Sequence, residues 1–249
     1  MNRRSQKQLR LFKQCIYCGA VKTSKDHAPP KSLLEKPYPP NLSTLPSCDA
    51  CNNGYADAER YVRDVVHHVS FSALSREKLS TWAVVARSLG WSSTHKSRIE
   101  NGYTADGYFR PESEPFDQVF EKVACGFWFL RYERLPNRQR FHSIAVEHAK
   151  DLSPWLRDLS YVSEPAMPGM WPEVGSSSLE RSARSWPRLP EPVARQWQVV
   201  QSGVFEYLMV KHIADATKYL CIMNLYDAVW GCVECPIPRG SRTTRQLFE

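Results

Sequence analysis

No apolar run in this chain approaches the roughly 18 residues that a membrane-spanning helix needs; stretches such as residues 124–130 are far shorter. The opening residues lead into more polar sequence and not into an apolar segment, so no secretory signal is expected there. Acidic residues are missing from residues 1–25 altogether, and no internal repeat is visible. These absences exclude a spanning helix and predict a cytoplasmic protein with no membrane partner. What is there fits a soluble globular fold: 249 residues, 42% hydrophobic and 24% charged, are enough for one large domain or two modest ones.

The formal charge is +7, and its excess is local. Residues 1–25 carry seven basic side chains (Arg3, Arg4, Lys7, Arg10, Lys13, Lys22 and Lys25), whereas the remaining residues hold equal numbers of basic and acidic groups. A basic arm beside a compact site suits a phosphate backbone, because each neutralised phosphate releases counterions. A solubilising tail is the alternative reading.

Cysteines in a reducing compartment stay as thiols, so their spacing decides whether they bind metal. Cys15 and Cys18 form one CxxC and Cys48 and Cys51 a second, with 29 residues between the pairs. Two such knuckles predict a structural zinc site with four thiolates and no open position for substrate. Cys232 and Cys235 are also spaced CxxC but lack a companion pair. In a strand-like stretch, residues three apart point to opposite faces, so these two, with Cys125 and Cys221, are expected as buried free thiols.

Between and after the knuckles lie Asp26-His27, Asn41-Leu42, and Asn52-Asn53-Gly54 directly behind Cys51. Adjacent Asp and His at the end of an extended segment point to opposite sides. One can hold a hard cation such as Mg2+ while the other, neutral near pH 7, takes a proton from water. Asn52, fixed by the metal knuckle, can offer an amide oxygen to the same cation. The bland readings are a turn Asp, a buried His and helix-capping Asn residues.

In that order, CxxC, Asp-His, Asn-Leu and CxxC-Asn resemble the HNH endonuclease family over residues 15–69. The resemblance implies a ββα-metal fold with an accessory zinc knuckle pair, and metal-assisted hydrolysis of phosphodiester bonds in DNA. It implies His27 as the general base, Asp26 and Asn52 as ligands of a catalytic Mg2+ or Mn2+, and Asn41 as the residue that braces the loop and orients His27. Asn53 can replace Asn52 as ligand. Many members carry Lys or Arg shortly after the Cys-Asn pair, where this chain has Asn53-Gly54-Tyr55. Phosphate contacts are therefore expected from Lys25, Lys31, Arg10 and Lys13. Some members act in bacterial defence against phage. RNA as substrate, or a non-catalytic zinc-ribbon module that binds nucleic acid or protein, are the competing readings.

The fold class expected is α+β, with a basic arm and nuclease module over 1–70, a mainly helical region over 71–162, a Pro/Ser-rich linker over 163–192 and an antiparallel β region with a basic tail over 193–249. Tyr61, Val62, Val65, Val66 and Val69 recur at helical spacing, with Glu59 and Arg63 as an i,i+4 pair and His67 and His68 in terminal or surface roles. A second helix is expected from Ser75 to Gly90, irregular chain over 91–115, and a third helix over 116–134. The aromatic stripe of that third helix reads as core. Arg131, Arg134, Arg138 and Arg140 read as a solvated face. Strands are expected over 197–200, 204–210, 218–224 and 228–235. No chemistry is assigned to residues 136–249, which can serve a protein partner.

Overall fold

A short hairpin opens the described chain. In the computed structural model, which describes residues 13–71, 93–105, 110–161, 197–212, 215 and 217–238, β1 (Ser24–Ala28) pairs antiparallel with β2 (Ser43–Ser47), setting Asp26 opposite Leu45 and His27 opposite Thr44. The helix expected over 75–90, the Pro/Ser-rich stretch 163–192, the arm residues Arg3, Arg4, Lys7 and Arg10, and the tail arginines Arg239, Arg242 and Arg245 lie outside the described residues.

Helices α1 (Asp49–Gly54) and α2 (Ala56–Phe71) follow the hairpin. The 3.6-residue period puts Tyr61, Val62, Val65 and Val66 on one stripe, and all four are buried. His67 lies on the buried side as well, its ring 4.8 Å from that of Tyr226, so the surface role expected for it is corrected. Glu59 turns inward instead of pairing with Arg63 along the helix, and Arg63 pairs with Asp64 at 2.6 Å. Residues 91–115, expected to be irregular, contain α3 (Ser93–Glu100).

Among the described residues the longest element is α4 (Ser113–Tyr132). Its stripe of Phe116, Val119, Phe120, Val123 and Phe127 is core, as the spacing predicts. The helix is wedged between the hairpin and a five-stranded antiparallel sheet. Glycines set both close approaches. A Cβ on Gly126 would lie 2.7 Å from Leu45 Cδ1 and 3.2 Å from Ala28 Cβ, and one on Gly231 would lie 2.8 Å from the Phe120 ring.

The sheet runs in the order β3 (His142–His148), β7 (Val229–Pro236), β6 (Lys218–Leu225), β5 (Phe205–Lys211), β4 (Gln198–Gln201). Strand β3 comes from the stretch expected to be mainly helical, and it forms one edge of the C-terminal sheet by pairing with β7. Tyr226 and Asp227, both with φ near +50°, make the two-residue turn between β6 and β7 that matches the twist of the strands. Residues 220–225 of β6 are all buried because both faces are covered. Helix α4 covers one face; Leu156 of α5 (Pro154–Tyr161), with Trp197 and Trp230, covers the other. Cys235 belongs to the first face and Cys232 to the second, and both thiols are free and buried. Among the described residues no helix is long and apolar enough to cross a membrane.

Candidate functional site

The chain before β1 folds back on itself. A bridge pairs Gln14 with Val21, and the Cys15 N–H donates to the Ala20 carbonyl at 2.7 Å. Gly19 sits at φ +77°, a left-handed conformation that favours glycine, and its N–H donates to the Cys15 carbonyl. This turn brings Cys15 and Cys18 to the start of α1, where Cys48 is the N-cap and its Sγ accepts from the Cys51 N–H at 3.4 Å. All four Sγ atoms lie within 4.8 Å of one another. That set fits a tetrahedral, zinc-type ion. Burial opposes ionisation of Cys15, but the backbone N–H groups of Cys18, Tyr17 and Cys48 outweigh it and bring the thiol down to about 7. Burial and the three neighbouring thiols push Cys51 the other way. A bound cation relieves that conflict by taking all four as thiolates.

The hairpin separates the two residues of the Asp-His pair. Side chains alternate along a strand, so Ser24, Asp26 and Ala28 share one face, and Lys25 and His27 the other. Asp26 is only 5% exposed, whereas His27 is half-buried beside the exposed Lys25. Burial, the nearby Lys31 ammonium and, less strongly, Lys122 lower the His27 pKa, against an opposing pull from Asp26. The imidazole is therefore neutral at pH 7 and can accept a proton. Lys31 is itself exposed, with its ammonium 5.4 Å from the centre of the Tyr38 ring. Lys13 is exposed on the turn ahead of the first knuckle. Arg10 lies outside the described residues.

Sequence reasoning did not find Lys122. This α4 residue is 1% exposed, and its Nζ lies 2.8 Å from Asp26 Oδ2 and pairs with Glu59 Oε1. Tyr17 Oη donates to the same Asp26 Oδ2 at 2.8 Å, the His27 N–H donates to Asp26 Oδ1 at 2.7 Å, and Ser32 Oγ donates to Glu59 Oε2 at 3.3 Å. The Tyr55 ring centre is 4.9 Å from the ammonium, and Tyr17 and Tyr55 pack at 5.7 Å. Burial raises the Glu59 pKa, and the ammonium opposes that rise. A single lysine between Phe120 and Val123 was the signal in the sequence; Glu59, expected in an i,i+4 pair with Arg63, was the other half of it.

Asp26 and Asn52, expected from the resemblance to hold a catalytic Mg2+ or Mn2+, already have protein partners. Both Asp26 oxygens are engaged, one of them by an ammonium, and Asn52 Nδ2 donates to Ser24 Oγ at 3.0 Å. Asn52 does lie on the Asp26 face of the hairpin, through Ser24. Asn53, the other ligand considered, is exposed. Asn41 is exposed in the turn ahead of β2, and among the described residues no hydrogen bond joins its side chain to His27.

Arg138, read as part of a solvated face, sits with its guanidinium 5.0 Å from the Tyr55 ring centre. The cation therefore flanks the tyrosine pair that encloses Lys122. Arg131 lies over the Tyr132 and Tyr219 rings at 5.7 and 5.9 Å, away from the hairpin. No family model matches the chain, and neither a curated protein nor a solved structure matches it.

Proposed function

We propose that the hairpin and the helices behind it form an HNH-type ββα module, held by one structural zinc, that hydrolyses phosphodiester bonds of DNA. The observation that carries this reading is the position of His27. Its neutral imidazole stands at the end of β1, on the open face of the hairpin, with Lys25 on the same face and Lys31 close enough to shift its titration.

In this reading the phosphate binds over the His27 face. Lys25 and Lys31 balance its charge, with Lys13 extending the basic rim toward the N-terminal arm. His27 takes a proton from the attacking water as the new P–O bond forms and the bond to the leaving 3′ oxygen breaks, that oxygen taking its proton from solvent water. The lysines offset the negative charge that gathers on the phosphoryl oxygens. The zinc supplies rigidity to the two loops, not chemistry.

Supercoiled plasmid tests the reading. Wild type is expected to nick it, and His27→Ala to lose about 10²- to 10⁴-fold of that activity. Equal nicking by both proteins removes His27 as the base. The engagement of Asp26 by Lys122 favours one second reading: a zinc-ribbon module that binds nucleic acid or protein without cutting. Retained DNA binding by a wild-type protein that never nicks supports that alternative. Parallel digests of RNA and DNA decide the substrate.

A further inference from the structure

The cluster beneath the hairpin holds two carboxylates from separate elements, Asp26 on β1 and Glu59 on α2, aimed at one point. A divalent ion would be the ordinary occupant of such a pair. Here the point is filled by the ammonium of Lys122, with Asp26 Oδ2 at 2.8 Å and Glu59 Oε1 in contact. We propose that Lys122 is the resident cation of this site: its ammonium permanently takes the place of a divalent ion between Asp26 and Glu59, and through Asp26 it positions the strand that carries His27.

Three features make the occupancy permanent. The backbone that carries Lys122 is fixed relative to both carboxylates, because α4 packs closely on the hairpin side, with Gly126 against Ala28 and Leu45, and on the sheet side, with Phe120 against Gly231. The surroundings are already complete for an ammonium. Tyr17, Ser32 and the His27 N–H donate to the carboxylate oxygens, and the Tyr55 ring lies 4.9 Å away. Space is the third feature. Lys122 is 1% and Asp26 5% exposed, whereas Mg2+ keeps several of its waters and demands octahedral room for them.

Lys122 is thus a positioning residue. Asp26 Oδ1 accepts the His27 N–H at 2.7 Å, so the grip on Oδ2 fixes the backbone from which the imidazole projects. This catalytic consequence rests on the hydrolytic reading above; the occupancy itself does not.

The test uses the zinc-loaded full chain and two readouts independent of cleavage. Wild type and Asp26→Asn are titrated with Mn2+, followed by electron paramagnetic resonance, up to millimolar concentration. No Asp26-dependent Mn2+ binding is expected. In wild type alone, an amine-acylating reagent read by mass spectrometry should modify Lys122 about tenfold or more slowly than exposed Lys25 and Lys31. Mn2+ should leave that protection unchanged. A Mn2+ ion bound by wild type and lost in Asp26→Asn overturns the proposal, as does acylation of Lys122 that rises when Mn2+ is added. A protein that never nicks plasmid alters neither readout, so failure of the hydrolytic reading is separate from failure of this one.

Discussion

The Nζ of Lys122 lies 2.8 Å from Oδ2 of Asp26, and both side chains are almost wholly buried. This contact joins the hairpin to the helix on which the C-terminal sheet is built. The residue beside the candidate base is therefore coupled to a part of the chain nearly a hundred positions away.

Removal of Lys122 leaves two carboxylates in the interior without their counter-ion, whereas removal of the Asp26 charge leaves the ammonium paired with Glu59. Lys122→Met should destabilise the fold by about 3–5 kcal/mol, and Asp26→Asn by less. The double variant should cost less than the two single changes together, with a coupling above about 1 kcal/mol. Urea midpoints of the four proteins measure this. Strict additivity would show that the contact contributes nothing of its own.

The four-cysteine cluster predicts about one tightly held zinc per chain by elemental analysis. Cys48→Ser should lose both the metal and the cooperative unfolding of the hairpin, because Cys48 also caps α1. Cys232→Ser should leave the zinc content unchanged, since that thiol is buried in the sheet, in a different cluster from Cys235. A second zinc lost in Cys232→Ser would contradict this arrangement.

Because burial and Lys31 lower the pKa of His27, its titration should lie below the ordinary value of 6.5. If His27 is the base, the acid limb of the cleavage rate follows the same titration, with activity lost as pH falls through it. Lys31→Gln removes a positive charge and should move both curves upward. The ring protons of His27, followed by NMR, give the titration independently. A limb that stays put while the NMR curve moves assigns the proton transfer to another group.

His67 provides a pH effect on stability unrelated to cleavage. Burial lowers its pKa to about 4 from 6.5, so the folded protein keeps the ring neutral. The unfolded chain protonates first as pH falls. The contribution is fully present above 6.5, is lost progressively on the way down, and is gone below about 4. Its size is on the order of 3 kcal/mol. Denaturant midpoints of wild type and His67→Gln should converge as pH drops through this window. Parallel curves would falsify the assignment.

Local patterns were legible where local physics decides. The two CxxC pairs announced their cluster because a two-residue spacing turns both thiols the same way. The apolar stripes of α2 and α4 are set by backbone period, and strands β5 to β7 by their β-branched and aromatic residues. The split of Asp26 from His27 followed from strand geometry. The surroundings of Asn41 and Asn52 did not follow, because one depends on where a loop comes to rest and the other on how α1 meets β1. Strand β3 was missed because its place is made by pairing with β7, more than eighty residues later.

By itself the sequence determined the α+β class, the cysteine framework, the neutralisable histidine and the faces of the main helices, since each depends on neighbours within a turn or a strand. Only the tertiary structure decided what faces the Asp26 carboxylate. Lys122 and Glu59 look like ordinary surface charges on separate helices. They become a buried ion cluster because the missing side chains of Gly126 and Gly231 let α4 settle between hairpin and sheet, and burial then gives a charged side chain no alternative to an opposite charge.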